Sequence, residues 1–337
     1  MEAWMAAQNA LNCVLEAKKG ESIVIFCDDV KMDVGKAFAN GALKLGLKTR
    51  LTQLKTEPQF FRKDIPQHIL DILAEGTTDI YINLLRGNRE ETPFRIKLIK
   101  LETENRKTRL GHCPGVTVDM LTNGALALTV EEHRKMQNFA DKLIEKLKHA
   151  VKVKIENPSG TNLSLSVKGR PFFTDTKIDW KNMKWMNLPT GEVIVAPVED
   201  SLNGKLVCDM AIGGIGPINT PVEITVERGK VQNVTSKDFE TLRKVKESLN
   251  VDEWSNVVGE FAFGINPKAR FVEEFLEAEK ILGTIHIAFG NNTDMPGGQN
   301  KSKNHMDFLV SKPTVKILND DGSTMTVLTD GNFTFEG

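Results

Sequence analysis

Ser22-Ile23-Val24-Ile25-Phe26-Cys27-Asp28-Asp29 is a short, mostly apolar run that stops on two carboxylates. Its length and β-branched content are those of a parallel strand buried on both faces. Strand and helix patterns alternate around it. Residues 1–18 carry Trp4, Leu11, Val14 and Leu15 at helical spacing. Residues 33–46 predict a helix, 48–54 a strand, 66–75 a helix, 78–84 a strand and 92–104 a helix. Such βαβ alternation predicts an α/β fold built on an open, mostly parallel sheet. The first strand leads into Asp28-Asp29-Val30 and not into Gly-x-Gly-x-x-Gly, which disfavours a nicotinamide or flavin site.

Thr129-Val130-Glu131-Glu132 has the pattern of a capping box, with Met136, Phe139, Ala140, Leu143, Ile144 and Leu147 as one apolar stripe behind it. This helix closes the first domain, 1–150. From Val151 the pattern changes to period two, in Val151-Lys-Val-Lys-Ile155 and Leu163-Ser-Leu-Ser-Val167. More short strands follow, with helices expected only over about 236–250 and 268–280. Residues 151–337 therefore predict a second, β-rich α+β domain.

The chain has 337 residues, 44 Lys+Arg and 45 Asp+Glu, which leaves no net field to attract nucleic acid or an anionic membrane. Cys13, Cys27, Cys113 and Cys208 are scattered, which argues against a disulfide framework or a cysteine zinc site. The start Met1-Glu2-Ala3-Trp4 lacks a signal-peptide pattern, and no run of about 18 apolar residues suggests a membrane span. A cytoplasmic protein with reduced thiols is expected. With six His and one Tyr, polar chemistry must lean on imidazoles and carboxylates.

These fall in four strand-like settings. In Asn304-His305-Met306-Asp307-Phe308, positions i and i+2 share a face, so His305 and Asp307 present an imidazole and a carboxylate side by side. His286 lies in Gly283-Thr-Ile-His-Ile-Ala-Phe-Gly290 and taken alone reads as a core histidine. The polar, Gly-rich loop 290–304 joins the two histidine strands and would return the chain so that both flank one pocket. Glu192 and Glu260 each enter an apolar run beside Gly, where a carboxylate is costly unless it is paired or binds a cation. Glu279 stands seven residues before His286. The glycines of Ile212-Gly-Gly-Ile-Gly-Pro217 read as a turn. His133 and His149 read as solvated or boundary residues of the capped helix.

Asn187-Leu-Pro-Thr-Gly-Glu-Val-Ile-Val-Ala-Pro197, Gly259-Glu-Phe-Ala-Phe-Gly264, Glu279 through Gly290, the His-x-Asp at 305–307 and Cys113-Pro-Gly-Val-Thr-Val-Asp-Met-Leu121 resemble the metalloaminopeptidase family of aminopeptidase T, the thermophilic leucyl aminopeptidases. The resemblance implies a homodimeric hydrolase that removes N-terminal residues from peptides with a water activated by two divalent ions (zinc, cobalt or manganese). It implies Glu192, Glu260, Glu279, His286, His305 and Asp307 as ligands, Glu260 bridging, and Glu192 and Glu260 as catalytic carboxylates. Peptidases of the family carry a Tyr shortly after the first metal His. Phe289, Asn291 and Asn292 stand there instead, and Tyr81 lies in the other domain. That leaves the substrate-stabilising role of the Tyr unassigned, with Lys301 and Lys303 as candidates for it. Other relatives resemble ring-cleaving dioxygenases of dihydroxypyridines, which hold one Fe(II) by two His and one carboxylate. His286, His305 and Asp307 suit that alternative equally.

Overall fold

The structure, a computed structural model, describes residues 1–104, 107–181 and 184–336. The chain divides into two compact units. The first comprises 1–135, 175–190 and 268–270, and the second 136–174, 191–267 and 271–337. The boundary expected near 150 thus falls inside the helix Val130–Leu147, and two later segments return to the first unit. Among the described residues no helix is long and apolar enough to cross a membrane.

The first unit is built on a wholly parallel five-stranded sheet in the order Lys48–Leu54, Ser22–Asp28, Ile80–Leu84, Arg109–His112, Trp185–Asn187. Helices Ala3–Cys13, Met32–Lys44, Gln67–Ala74 and Thr92–Thr103 accompany it. Ile23, Ile25 and Phe26 are fully buried, as a strand covered on both faces requires. The expected capping box is formed. Thr129 N–H donates to Glu132 Oε2 at 2.7 Å, and Glu132 N–H donates to Thr129 Oγ1 at 3.1 Å. His133, expected to be a solvated or boundary residue, is buried, and burial lowers its pKa to about 4.

The second unit holds two antiparallel sheets. One has eight strands in the order Lys230–Ser236, Val222–Glu227, Asn203–Cys208, Asn162–Ser166, Ala150–Glu156, Thr314–Asn319, Thr324–Thr329, Asn332–Phe333. The other has seven, in the order Gly216–Pro217, Ala211–Ile212, His305–Val310, Ile285–Gly290, Val258–Gly264, Glu192–Val195, Phe173–Thr174. The glycines after Ile212 form the turn of the small hairpin Ala211–Ile212 with Gly216–Pro217. The helix expected over 236–250 is present as Phe239–Ser248, capped by Asp238.

The helix expected over 268–280 is not formed beyond the single turn Phe275–Ala278. Arg270 is held in the first unit by an ion pair to Asp119 at 2.6 Å. At the other end, the Lys280 carbonyl accepts from Asn266 N–H at 2.9 Å, and Ile281 bridges to Asn266 as a strand would. Tertiary ties at both ends override the local helical pattern.

Candidate metal centre

Strand register assembles the site. In the seven-stranded sheet Glu260 lies opposite Ala288, and Ala288 opposite Asp307. Ala262 is opposite His286, Gly264 opposite Glu192, and Gly290 opposite His305. Residues opposite one another, and residues two apart on a strand, share a face. Glu192, Glu260, His286, His305 and Asp307 therefore project from one face. Interleaved Ala262, Gly264, Ala288 and Gly290 leave them room. The other face is hydrocarbon: Phe261, Phe263, Ile287, Phe289 and Phe308 are fully buried. The Phe261 and Phe263 rings meet edge to face, 4.8 Å apart.

Two local devices aim the carboxylates. The register slips between Val258 and Glu260, a bulge of the kind that redirects a side chain. At Gly191, φ is +137°, and an added Cβ would lie 2.5 Å from Asn266 Cβ. Gly191→Ala is expected to cost about 1–3 kcal/mol through this clash and backbone strain, measured by urea denaturation. An unchanged urea midpoint would show that Asn266 yields without cost.

All six sequence-predicted residues are brought together. Glu279 reaches the cluster from outside the sheet, at the end of the turn Phe275–Ala278. His286 Nε2 is 3.3 Å from Glu192 Oε1 and 3.1 Å from Glu260 Oε1. His305 Nε2 is 3.2 Å from Glu260 Oε2 and 3.2 Å from Asp307 Oδ1. Glu260 thus turns one oxygen to each histidine. Donor atoms group as Glu192, Glu279 and His286, and as Glu260, His286 and Asp307, within 4.8 Å of one another in each group. Glu192, Glu260, Glu279 and His286 are buried, whereas His305 sits at the rim with 33 % of its side chain exposed.

The donor set fits a divalent ion. Two ligand atoms each about 2.1 Å from one ion, at tetrahedral or octahedral angles, are roughly 3.0–3.4 Å apart, as these four contacts are. The tautomer agrees. His305 Nδ1 lies 2.8 Å from the Asn291 carbonyl oxygen, which can only accept. Nδ1 therefore carries a proton, and Nε2 faces two carboxylates, a position satisfied by a second ring proton or by a divalent ion bound between them.

The titration properties reflect the same crowding. Burial alone would raise the Glu260 carboxyl, but hydrogen bonds from His286 and His305 outweigh it and hold the group well below the ordinary range. Burial pushes Glu279 up to about 8 against the pull of Lys280. Burial would lower both imidazoles, yet Glu260 raises His286, and Asp307 with Glu260 raises His305 well above its usual value.

Lys280 was not anticipated from the sequence. It is 2 % exposed, ion-paired with Glu192 and, at 2.8 Å, with Glu279. The lysines considered instead, Lys301 and Lys303, are exposed. The only available signal was the placement of Lys280 directly after Glu279, within an otherwise apolar approach to His286. The positions that stand where the family carries Tyr have structural tasks. Phe289 is in the core, the Asn291 carbonyl orients His305, and buried Asn292 donates to Gly259 O at 3.1 Å. Loop 290–304 is correspondingly pinned, with Asn300 Nδ2 donating to Val258 O at 2.8 Å and to Gly290 O at 3.1 Å.

A carboxylate-rich cluster with two histidines on an antiparallel sheet defines the class, a candidate divalent-metal centre. The pattern of the thermophilic metalloprotease (M29) family matches residues 127–333, and the chain belongs to that family. Aminopeptidase AmpS of Bacillus subtilis (strain 168) is 23 % identical over 168 residues, which are 44 % of this chain and 40 % of that protein. The match thus spans less than half the length of that relative. Among solved structures, wild-type AmpT from Thermus thermophilus superposes with a TM-score of 0.74 and 17 % identity, covering 99 % of both chains. The 2,5-dihydroxypyridine dioxygenase from Pseudomonas putida KT2440 gives 0.72 and 17 %, covering 98 % of this chain and 96 % of that one. At such identities the likeness to these two structures is one of fold.

Proposed function

We propose that this protein is a metal-dependent aminopeptidase that removes N-terminal residues from peptides. The observation that carries this is the convergence of His305 Nε2 with Glu260 and Asp307, while Nδ1 is engaged by the Asn291 carbonyl and leaves Nε2 as the nitrogen that can face a metal ion. Membership of a metalloprotease family supports it. Glu260, His286, His305 and Asp307 would hold the ion. A divalent ion there supplies a Lewis acid for the scissile carbonyl and lowers the pKa of water. Glu192, beside His286 and Lys280, is placed to hold a proton during hydrolysis. Lys280 offers an ammonium near the reacting centre in a chain that lacks the expected Tyr.

Removal of metal by a chelator is expected to lower hydrolysis of aminoacyl arylamides by at least about a hundredfold, with recovery on adding zinc, cobalt or manganese. Activity that persists after metal analysis shows the protein empty would sink the proposal. A second reading, a single-Fe(II) ring-cleaving dioxygenase, is favoured by the missing Tyr and by His286, His305 and Asp307 as a facial triad. It predicts oxygen uptake with a dihydroxypyridine and no amide hydrolysis by the iron-loaded protein.

A further inference from the structure

The second cation position implied by a two-metal centre is already furnished with a charge from the chain. The trio Glu192, Glu279 and His286 is the donor group from which a second ion would be built. Two of its three members are the ion-pair partners of Lys280. The Lys280 side chain is buried, 2 % exposed, and its backbone is anchored where the Asn266 N–H donates to the Lys280 carbonyl. Ammonium and metal compete for the same oxygens. An ion about 2.1 Å from the Glu192 and Glu279 carboxylates would have to expel Nζ from between them. The expelled ammonium would then be buried, unpaired and beside a dication, a strongly unfavourable arrangement.

We propose that the Lys280 ammonium takes the place of the second cation, so that the centre holds one divalent ion at Glu260, His286, His305 and Asp307, with Glu192 and Glu279 as outer carboxylates. This rests on the metal-centre assignment above and narrows its stoichiometry.

The test is metal stoichiometry, read by titration calorimetry with Zn(II) and Mn(II) alone and by elemental analysis after dialysis. The wild-type chain is expected to bind about one equivalent, and Lys280→Met about two, because the variant uncovers Glu192 and Glu279. Two equivalents in the wild type, or one in Lys280→Met, would overturn the proposal. Should Lys280→Met fail to fold, Glu192→Gln decides. Retention of one equivalent with affinity within about tenfold of wild type supports the single-ion centre, whereas a fall to none overturns it. A wild-type chain that binds no metal at all rejects the metalloenzyme assignment itself, whatever Lys280 does.

Discussion

Glu260→Gln is expected to lose its divalent ion and at least about a thousandfold of its hydrolytic activity. The substitution keeps size and shape, so the sheet should be intact. What changes is that one oxygen facing each of two histidines is replaced by an amide with half the acceptor capacity and no charge. Among the described residues no other carboxylate of the cluster ion-pairs with both rings, and Asp307 pairs with His305. A ligand that binds the folded state alone raises the melting temperature by mass action. Added Zn(II) or Mn(II) should therefore stabilise the wild type and leave Glu260→Gln unmoved. Metal content, arylamide hydrolysis and melting curves on the same preparations check this together. A variant that still binds one equivalent and still hydrolyses would move the centre away from Glu260.

The site was legible in the sequence because period two is a strong local signal. In Glu260-Phe-Ala-Phe-Gly264, His286-Ile-Ala-Phe-Gly290 and His305-Met-Asp307, ligands and small residues alternate with bulky apolar ones. Each strand thus declares a polar, roomy face and a core face, and pairing in register makes those faces one. The parallel sheet of the first unit was legible for a related reason, its strands being short apolar runs between helical patterns. What stayed hidden depends on long-range ties. Local spacing suggests a helix over 268–280 that the Arg270 and Asn266 contacts break. The burial of Lys280 follows from that break, since in an unbroken helix it would read as an ordinary terminal charge. The division between the two units at 135 and 136 falls within one continuous helix, Val130–Leu147. No composition shift marks a division inside a helix.

Arg62→Ala is expected to destabilise the first unit by about 3–5 kcal/mol, the usual penalty for removing one partner of a buried ion pair. The first strand ends on Asp28 where a dinucleotide fold would have glycine, and the structure shows what the carboxylate does. Arg62 spans two buried acids, with Nη1 and Nη2 on Asp28 at 2.5 and 2.8 Å and Nε and Nη2 on Glu91 at 2.9 and 2.6 Å. Its guanidinium also lies 4.7 Å from the Phe94 ring centroid. Arg86 supports Glu91 from the other side at 2.7 Å but cannot replace the double fork on Asp28. The network carries a pH signature as well. Burial alone would raise the Glu91 carboxyl, but hydrogen bonds from Arg62 and Arg86 outweigh it and bring it down to about 2 from its ordinary 4.5. A carboxylate with a depressed folded pKa stabilises the fold above its unfolded value, and that contribution is lost as pH falls from about 4.5 toward 2. The wild type should therefore lose stability across that window while Arg62→Ala, already without most of the contribution, loses less, so the two converge in acid. Amide exchange in Ser22–Asp28 reads this unit separately from the second. A gap that stays constant from pH 7 to pH 2, by an estimate good to about half a kcal/mol, would mean that packing against Phe94, rather than charge pairing, is what Arg62 contributes.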